Sequence, residues 1–191
     1  SYKVKVNSPG VQTGRIMCFL ERTIKDYKPK IVLVEGDTNS VLASAIASLK
    51  QGIPVGHVEA GLRSFDLRMP EEHNRRIVDH ISSHLFAPTK NACENLKSEN
   101  VWGKVYVTGN TVIDAVFQYL KVAEEKSEIM SRIRFESFAL VTAHRAENVD
   151  NPRVLKNLVE AYTEAPIPVI YPVHPRTKTV SYTHLTLPTK A

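Results

Sequence analysis

The run IVLVEGDTNSVLASAIASLKQGIPVGHVEAGLR, residues 31–63, decides the fold. IVLV (31–34) is apolar at every position rather than at alternate ones. A strand of that kind is expected to be buried on both faces, and such strands belong to parallel sheets. It ends at EGDTNS, and the small-residue run VLASAIASLK (41–50) follows as a helix. IPV (53–55) then restarts the cycle of apolar strand, Gly-containing turn and polar residues. Strand, helix and strand in that order are the unit of an α/β protein.

The same alternation continues on both sides. Upstream, Ile16, Phe19, Leu20, Ile24 and Tyr27 recur at helical spacing over 12–27, and Pro29 stops the helix. Downstream, Pro70, Glu71 and Glu72 open a helix whose apolar stripe is Ile77, Val78 and Ile81. Proline suits the first helical position and acids suit the first turn. HLFAP (84–88) reads as a short strand, Thr89 caps a helix through Glu99, KVYVTGN (104–110) is strand and turn, and VIDAVFQYLKVAEE is a long helix. Residues 126–137 are charged and weakly patterned, the expected crossover between two domains. FALVTAHR (138–145) restarts the alternation, Asn151-Pro152 caps a helix, and PVIYPVHP (168–175) is the next strand and its exit. The expected architecture is a doubly wound, Rossmann-like parallel sheet in an N-terminal domain (1–125), followed by the start of a second such domain (138–180). SYTHLTLPTKA (181–191) fits neither period and is expected to be a non-native tail.

Composition excludes several functions. The 191 residues are 42% hydrophobic and 24% charged, which is ordinary for a globular chain. The net charge of +5 comes from scattered Lys and Arg without a basic run or aromatic interleaving, so nucleic acid is not an expected partner. No apolar run approaches the roughly 18 residues of a membrane span. Two cysteines, Cys18 and Cys93, fit no disulfide framework and read as free thiols of the cytoplasm. The patterns HExxH, GxGxxG, GxxxxGK[ST] and GxSxG are all absent, so no metal site, dinucleotide fold, P-loop or serine nucleophile is expected.

Polar residues concentrate where strands end. GDT (36–38), HVEAGLR (57–63), TGN (108–110), TAHR (142–145) and PVHP (172–175) are all strand exits. In open parallel sheets, ligands bind outside the carboxyl ends of the strands. Residues 56–76 hold four carboxylates and four arginines but no lysine. Arginine presents a planar fork to carboxylate or phosphate, so this segment reads as one wall of a cleft. Plain structural readings stand beside this one. Asp37 can cap the next helix, Glu59 can pair with Arg63, and Glu71–Arg75 and Glu72–Arg76 can be solvated helix pairs. His144 and His174 can be satisfied core histidines, and His57 can bond a backbone carbonyl.

VEGDTNS, PVGHVEAGLRS, PEEHNRR, TGNTVIDA, VTAHRAEN and YPVHP, in this order, resemble the non-hydrolysing UDP-N-acetylglucosamine 2-epimerases. The resemblance covers about residues 8–177 and implies a two-domain enzyme with its active site in the interdomain cleft. It implies interconversion of UDP-GlcNAc and UDP-ManNAc without a cofactor, by elimination of UDP to a 2-acetamidoglucal and re-addition. Matched by motif position, Asp37, Glu59, Glu71 and His144 are the implied catalytic residues. Arg75, Arg145 and His174 are the implied substrate-binding residues. The resemblance also implies a homodimer. A glycosyltransferase of similar fold and a non-catalytic nucleotide-sugar-binding module are the alternatives. The family's opening GTRPE-like strand turn and its SGG-type turn have no counterpart in these residues. Residues 1–191 alone are therefore expected to turn over UDP-GlcNAc at a small fraction of the rate of a version extended at both ends, in a coupled epimerase assay. Equal rates would reject this reading.

Overall fold

A computed structural model describes residues 8–143, 146–173 and 177. The chain divides into two compact units, Ser1–Glu124 and Glu125–Ala191. The first runs α1 (Pro9–Tyr27), β1 (Val32–Glu35), α2 (Asn39–Lys50), β2 (Val55–Val58), α3 (Pro70–Ile81), β3 (His84–Ala87), α4 (Lys90–Ser98), β4 (Lys104–Val107) and α5 (Thr111–Lys126). The helix expected over 12–27 thus starts three residues earlier, at Pro9, because proline suits a first turn.

The four strands pair in parallel in the order β1-β2-β3-β4. The register sets Val34 beside His57 and His57 beside Leu85. These three therefore share one sheet face, and it is the face the helices cover. Val34 and Val55 pack with Val41 and Ala45 of α2 and Val78 of α3. Leu85 and Ala87 pack with Ala92 and Leu96 of α4. α1 lies against α2. The other face carries Leu33, Gly56, Phe86 and Tyr106. IVLV was expected to be covered on both sides, but Leu33 is 61% exposed. The helices α2, α3 and α4 all pack on the opposite face, so alternate residues of β1 are left open.

Two glycines sit against close neighbours, flexible side-chain tips at Gly56 and backbone at Gly61. A Cβ on Gly56 would sit 2.6 Å from Leu33 Cδ2 and 3.1 Å from Phe86 Cε2. Gly61 has φ +80°, and a Cβ there would meet the Ala92 carbonyl oxygen at 2.2 Å. The turn after β2 therefore lies directly on the backbone of α4.

The second unit holds α6 (Ile129–Arg132), β5 (Ala139–Leu140), α7 (Ala146–Val149), α8 (Pro152–Thr163) and β6 (Val169–Ile170). β5 and β6 pair in parallel, Ala139 beside Val169. Both strands are shorter than the apolar runs that announce them. The ladder persists only to the bond from Val141 N to Ile170 O at 2.9 Å. The crossover segment contains one helical turn, α6. Asn151 caps α8 as expected, accepting from Arg153 N at 3.0 Å. No described helix is long and apolar enough to cross a membrane.

Gly61→Ala combines a left-handed conformation with a backbone clash. It is expected to cost roughly 2–5 kcal/mol, read as a lowered urea midpoint with unchanged slope.

Candidate active site

The site grows from two neighbouring strand exits. β1 leaves the sheet through Gly36, at φ +82°, into Asp37. The helix-capping role belongs to the next residue: Thr38 Oγ1 accepts from Val41 N at 3.4 Å. Asp37 is thereby released from the capping role, and its carboxylate takes a hydrogen bond from Arg75 Nη2. Its carbonyl accepts from Asn74 Nδ2 at 2.8 Å, so two successive residues of α3 hold it.

β2 leaves the sheet through Glu59, which adopts φ +67°. Non-glycine residues rarely adopt that conformation, and it concentrates at functional sites. A Cβ built on Gly36 would stand 3.9 Å from Glu59 Oε2, so this carboxylate lies over the residue preceding Asp37. Among the described residues, no hydrogen bond or ion pair reaches the half-buried Glu59 side chain. Every nearby acid that points inward is paired, which singles Glu59 out.

The expected partner of Glu59, Arg63, is engaged elsewhere. Its side chain is fully buried. Nη1 forms an ion pair with Asp79 Oδ2 at 2.8 Å and donates to the Leu62 carbonyl at 2.7 Å. Nε and Nη2 form a fork on Glu99 at 2.8 and 2.6 Å. Burial pulls the Arg63 guanidinium down, but the Glu99 and Asp79 carboxylates outweigh it and hold it above its usual range. The Arg63 bond lowers Glu99 below the ordinary carboxylate value, against the opposing effect of burial.

Asp79 completes a buried relay. Its other oxygen meets His57 Nδ1 at 2.6 Å, and His57 Nε2 meets the Gly36 carbonyl at 2.9 Å. His57 does bond a backbone carbonyl, as the sequence suggests, but it bonds Asp79 as well. A second arm runs from Glu99 through Arg76 Nη1 at 3.9 Å to Glu72, which accepts from Arg76 Nε at 3.0 Å. Arg75 Nη1 lies 3.8 Å from Glu72 and Arg75 also holds Asp37. The two arms form a ring that begins and ends at Gly36-Asp37.

Helix α3 separates its two leading acids. Glu71 is exposed on the first turn, one turn before Arg75, and has no partner among the described residues. The expected Glu71–Arg75 pair gives way to Arg75–Asp37. Glu72, expected as a solvated pair, is fully buried and accepts from Ser64 N at 2.8 Å and Ser64 Oγ at 3.0 Å. Burial opposes its charge, yet the Ser64 N–H and Arg76 outweigh it, so Glu72 titrates low.

The structure thus brings Asp37, Glu59 and Arg75 together and sets Glu71 one turn away. His144, Arg145 and His174 lie outside the described residues. Sequence reading missed Asp79 and Glu99. A helical wheel holds part of the signal, since Glu72, Arg75, Arg76 and Asp79 recur at three- and four-residue steps along one side of α3. Among the described residues, no group of three or more His, Cys, Asp or Glu is arranged to hold a metal.

Residues 2–188 match the family model described as UDP-N-acetylglucosamine 2-epimerase. The chain belongs to this family. The UDP-N-acetylglucosamine 2-epimerase of Methanococcus maripaludis is 48% identical over 179 residues, covering 89% of this chain and 49% of the relative. A UDP-2,3-diacetamido-2,3-dideoxy-D-glucuronate 2-epimerase of Pseudomonas aeruginosa is 44% identical, covering 90% of this chain and 49% of the relative. Among solved structures, the Methanocaldococcus jannaschii UDP-GlcNAc 2-epimerase in complex with UDP-GlcNAc and UDP matches with a TM-score of 0.85. It is 45% identical, and the match covers 94% of this chain and 51% of that one. The Neisseria meningitidis epimerase bound to UDP-GlcNAc matches with a TM-score of 0.78 and 35% identity, over 95% of this chain and 53% of that one. The chain spans about half the length of the curated relatives it matches. These matches establish the Rossmann-like α/β fold of the epimerase family.

The lowered carboxylates fix a pH dependence. Glu72 and Glu99 titrate below their ordinary 4.5 in the folded chain, so their stabilising contribution is present above that pH. It is lost as pH falls through their folded values. Glu99→Gln is expected to lower the urea midpoint at neutral pH, and to shrink the further loss between neutral pH and acid relative to wild type. An unchanged acid loss would contradict the role of Glu99.

Proposed function

We propose that this chain carries one wall of the active site of a 2-epimerase acting on a UDP-2-acetamido sugar, with UDP-GlcNAc and UDP-ManNAc as the interconverted pair. The observation that carries the reading is Glu59, a strained, half-buried and unpaired carboxylate placed over Gly36 beside the Arg75-held Asp37. In the proposed reaction a carboxylate takes the C2 proton, the C1–O bond breaks, and its electron pair leaves with UDP. A C1=C2 double bond remains. UDP then re-adds at C1 as a proton reaches the other face of C2. Asp37, Glu59 and Glu71 share the acid and base duties, which carboxylates in unlike surroundings can divide. His144 joins them as the fourth catalytic residue, and Arg145 and His174 take the nucleotide side with Arg75, whose fork suits a diphosphate once it leaves Asp37. The homodimer implied by the resemblance belongs to this reading. The diacetamido-glucuronate relative favours a second reading, in which the sugar carries additional substituents.

The test uses protein expressed from the complete reading frame in heavy water. Wild type is expected to place deuterium at C2 of UDP-GlcNAc, and Glu59→Gln to lower kcat about 100- to 10,000-fold. Nucleotide-sugar binding without exchange would identify a binding module. Sugar transfer that survives Glu59→Gln would identify a glycosyltransferase. Exchange only with a diacetamido-uronate substrate would support the second reading.

A further inference from the structure

The turn bearing Glu59 is gripped from three sides. Ala60 N donates to the Phe86 carbonyl of β3 at 3.2 Å. Asn95 Nδ2 of α4 donates to the Gly61 carbonyl at 2.9 Å. Gly61 N donates to Asp79 Oδ2 of α3 at 3.1 Å. The Asp79 grip differs from the other two, because the same carboxylate also reaches the neighbouring strand exit. Its Oδ1 holds His57, and His57 holds the Gly36 carbonyl. One fully buried side chain therefore touches the turn that aims Glu59 and, through one imidazole, the residue preceding Asp37. The left-handed backbone at Glu59 needs such restraint to persist.

We propose that Asp79 is a positioning residue. It sets the relative placement of the Glu59 and Asp37 carboxylates without itself meeting the sugar. What those carboxylates do rests on the epimerase reading above; the positioning does not. A carboxylate is suited to the task because its two oxygens accept from different elements at once. An asparagine can keep the Gly61 and His57 contacts and an oxygen beside Arg63 Nη1, while it removes the charge that faces Arg63. Its oxygen accepts from Gly61 N, and its NH2 group donates to Nδ1 of a His57 ring that carries a proton on Nε2 alone, toward Gly36, whereas beside the Asp79 carboxylate Nδ1 is itself the donor.

The experiment compares Asp79→Ala and Asp79→Asn in protein expressed from the complete reading frame. The alanine variant is expected to lose about 100-fold in kcat with KM changed less than about threefold, as a misplaced reacting group would. Its Gly61 amide is expected to speed up in exchange at least about tenfold more than the core amide of Val78, whose change reports the loss of global stability. The asparagine variant is expected to stay within about tenfold of wild-type kcat and to keep the slow Gly61 exchange. If the alanine protein does not fold, Asp79→Ser, whose hydroxyl stops short of both partners, replaces it with the same expectations. A folded alanine or serine variant with wild-type kcat, or with Gly61 exchange that speeds up no more than that of Val78, overturns the proposal. So does an asparagine variant as slow as alanine. Wild-type protein without epimerase activity would sink the epimerase reading alone, because Gly61 exchange still decides the positioning.

Discussion

The contact between Arg63 and Asp79, both buried and joined to His57 and Glu99, is the constraint on which the N-terminal unit's strand exits depend. Three ionisable groups withdrawn from water, with Glu99 partly exposed beside them, are costly unless each finds partners, and removing one strands the others. The chain meets that condition with planar forks. Arg63 spends three guanidinium nitrogens on two carboxylates and the Leu62 carbonyl. An ammonium could not span them, which explains why position 63 is arginine rather than lysine. Because the members come from β2, the following turn, α3 and the C-cap of α4, the network ties these four segments together at the end of the sheet where chemistry is expected.

Helix α3 applies the same constraint on a smaller scale. Adjacent glutamates diverge, Glu71 toward solvent and Glu72 into the interior, because successive helical residues point about 100° apart. One residue fixes the 64–69 loop through Ser64, and the other stays available. The arginines one turn later divide likewise: Arg75 reaches Asp37 across the strand exit, and Arg76 bonds Glu72. A single turn of helix therefore faces both the scaffold and the candidate site.

Sequence periodicity exposed the alternation of strands and helices because each element buries an apolar face of its own period. It also exposed the concentration of polar residues at strand exits, which follows from parallel topology. Partner choice was less legible. Glu59–Arg63 was the natural local pairing, but Arg63 finds Glu99, 36 residues away, a contact that only the packing of α4 creates. Asp79 sits beside Val78 in an apolar stripe and gave no sign that its carboxylate turns under the carboxyl end of β2. Ile77, read as part of that stripe, is exposed while Asn74 and Asp79 are buried. The side of α3 that packs inward carries more charge than periodicity alone suggests. Leu33 was misread for a related reason: an all-apolar strand does not reveal which of its faces a helix covers.

The left-handed backbone at Glu59 sets two selective pressures against each other. Glycine at this position would relax the chain at once, and a screen for thermal robustness alone would drift toward it. A lineage that keeps glutamate there accepts a permanently tense joint in exchange for the carboxylate it displays. Thermotolerance and chemistry should therefore part company first at this residue.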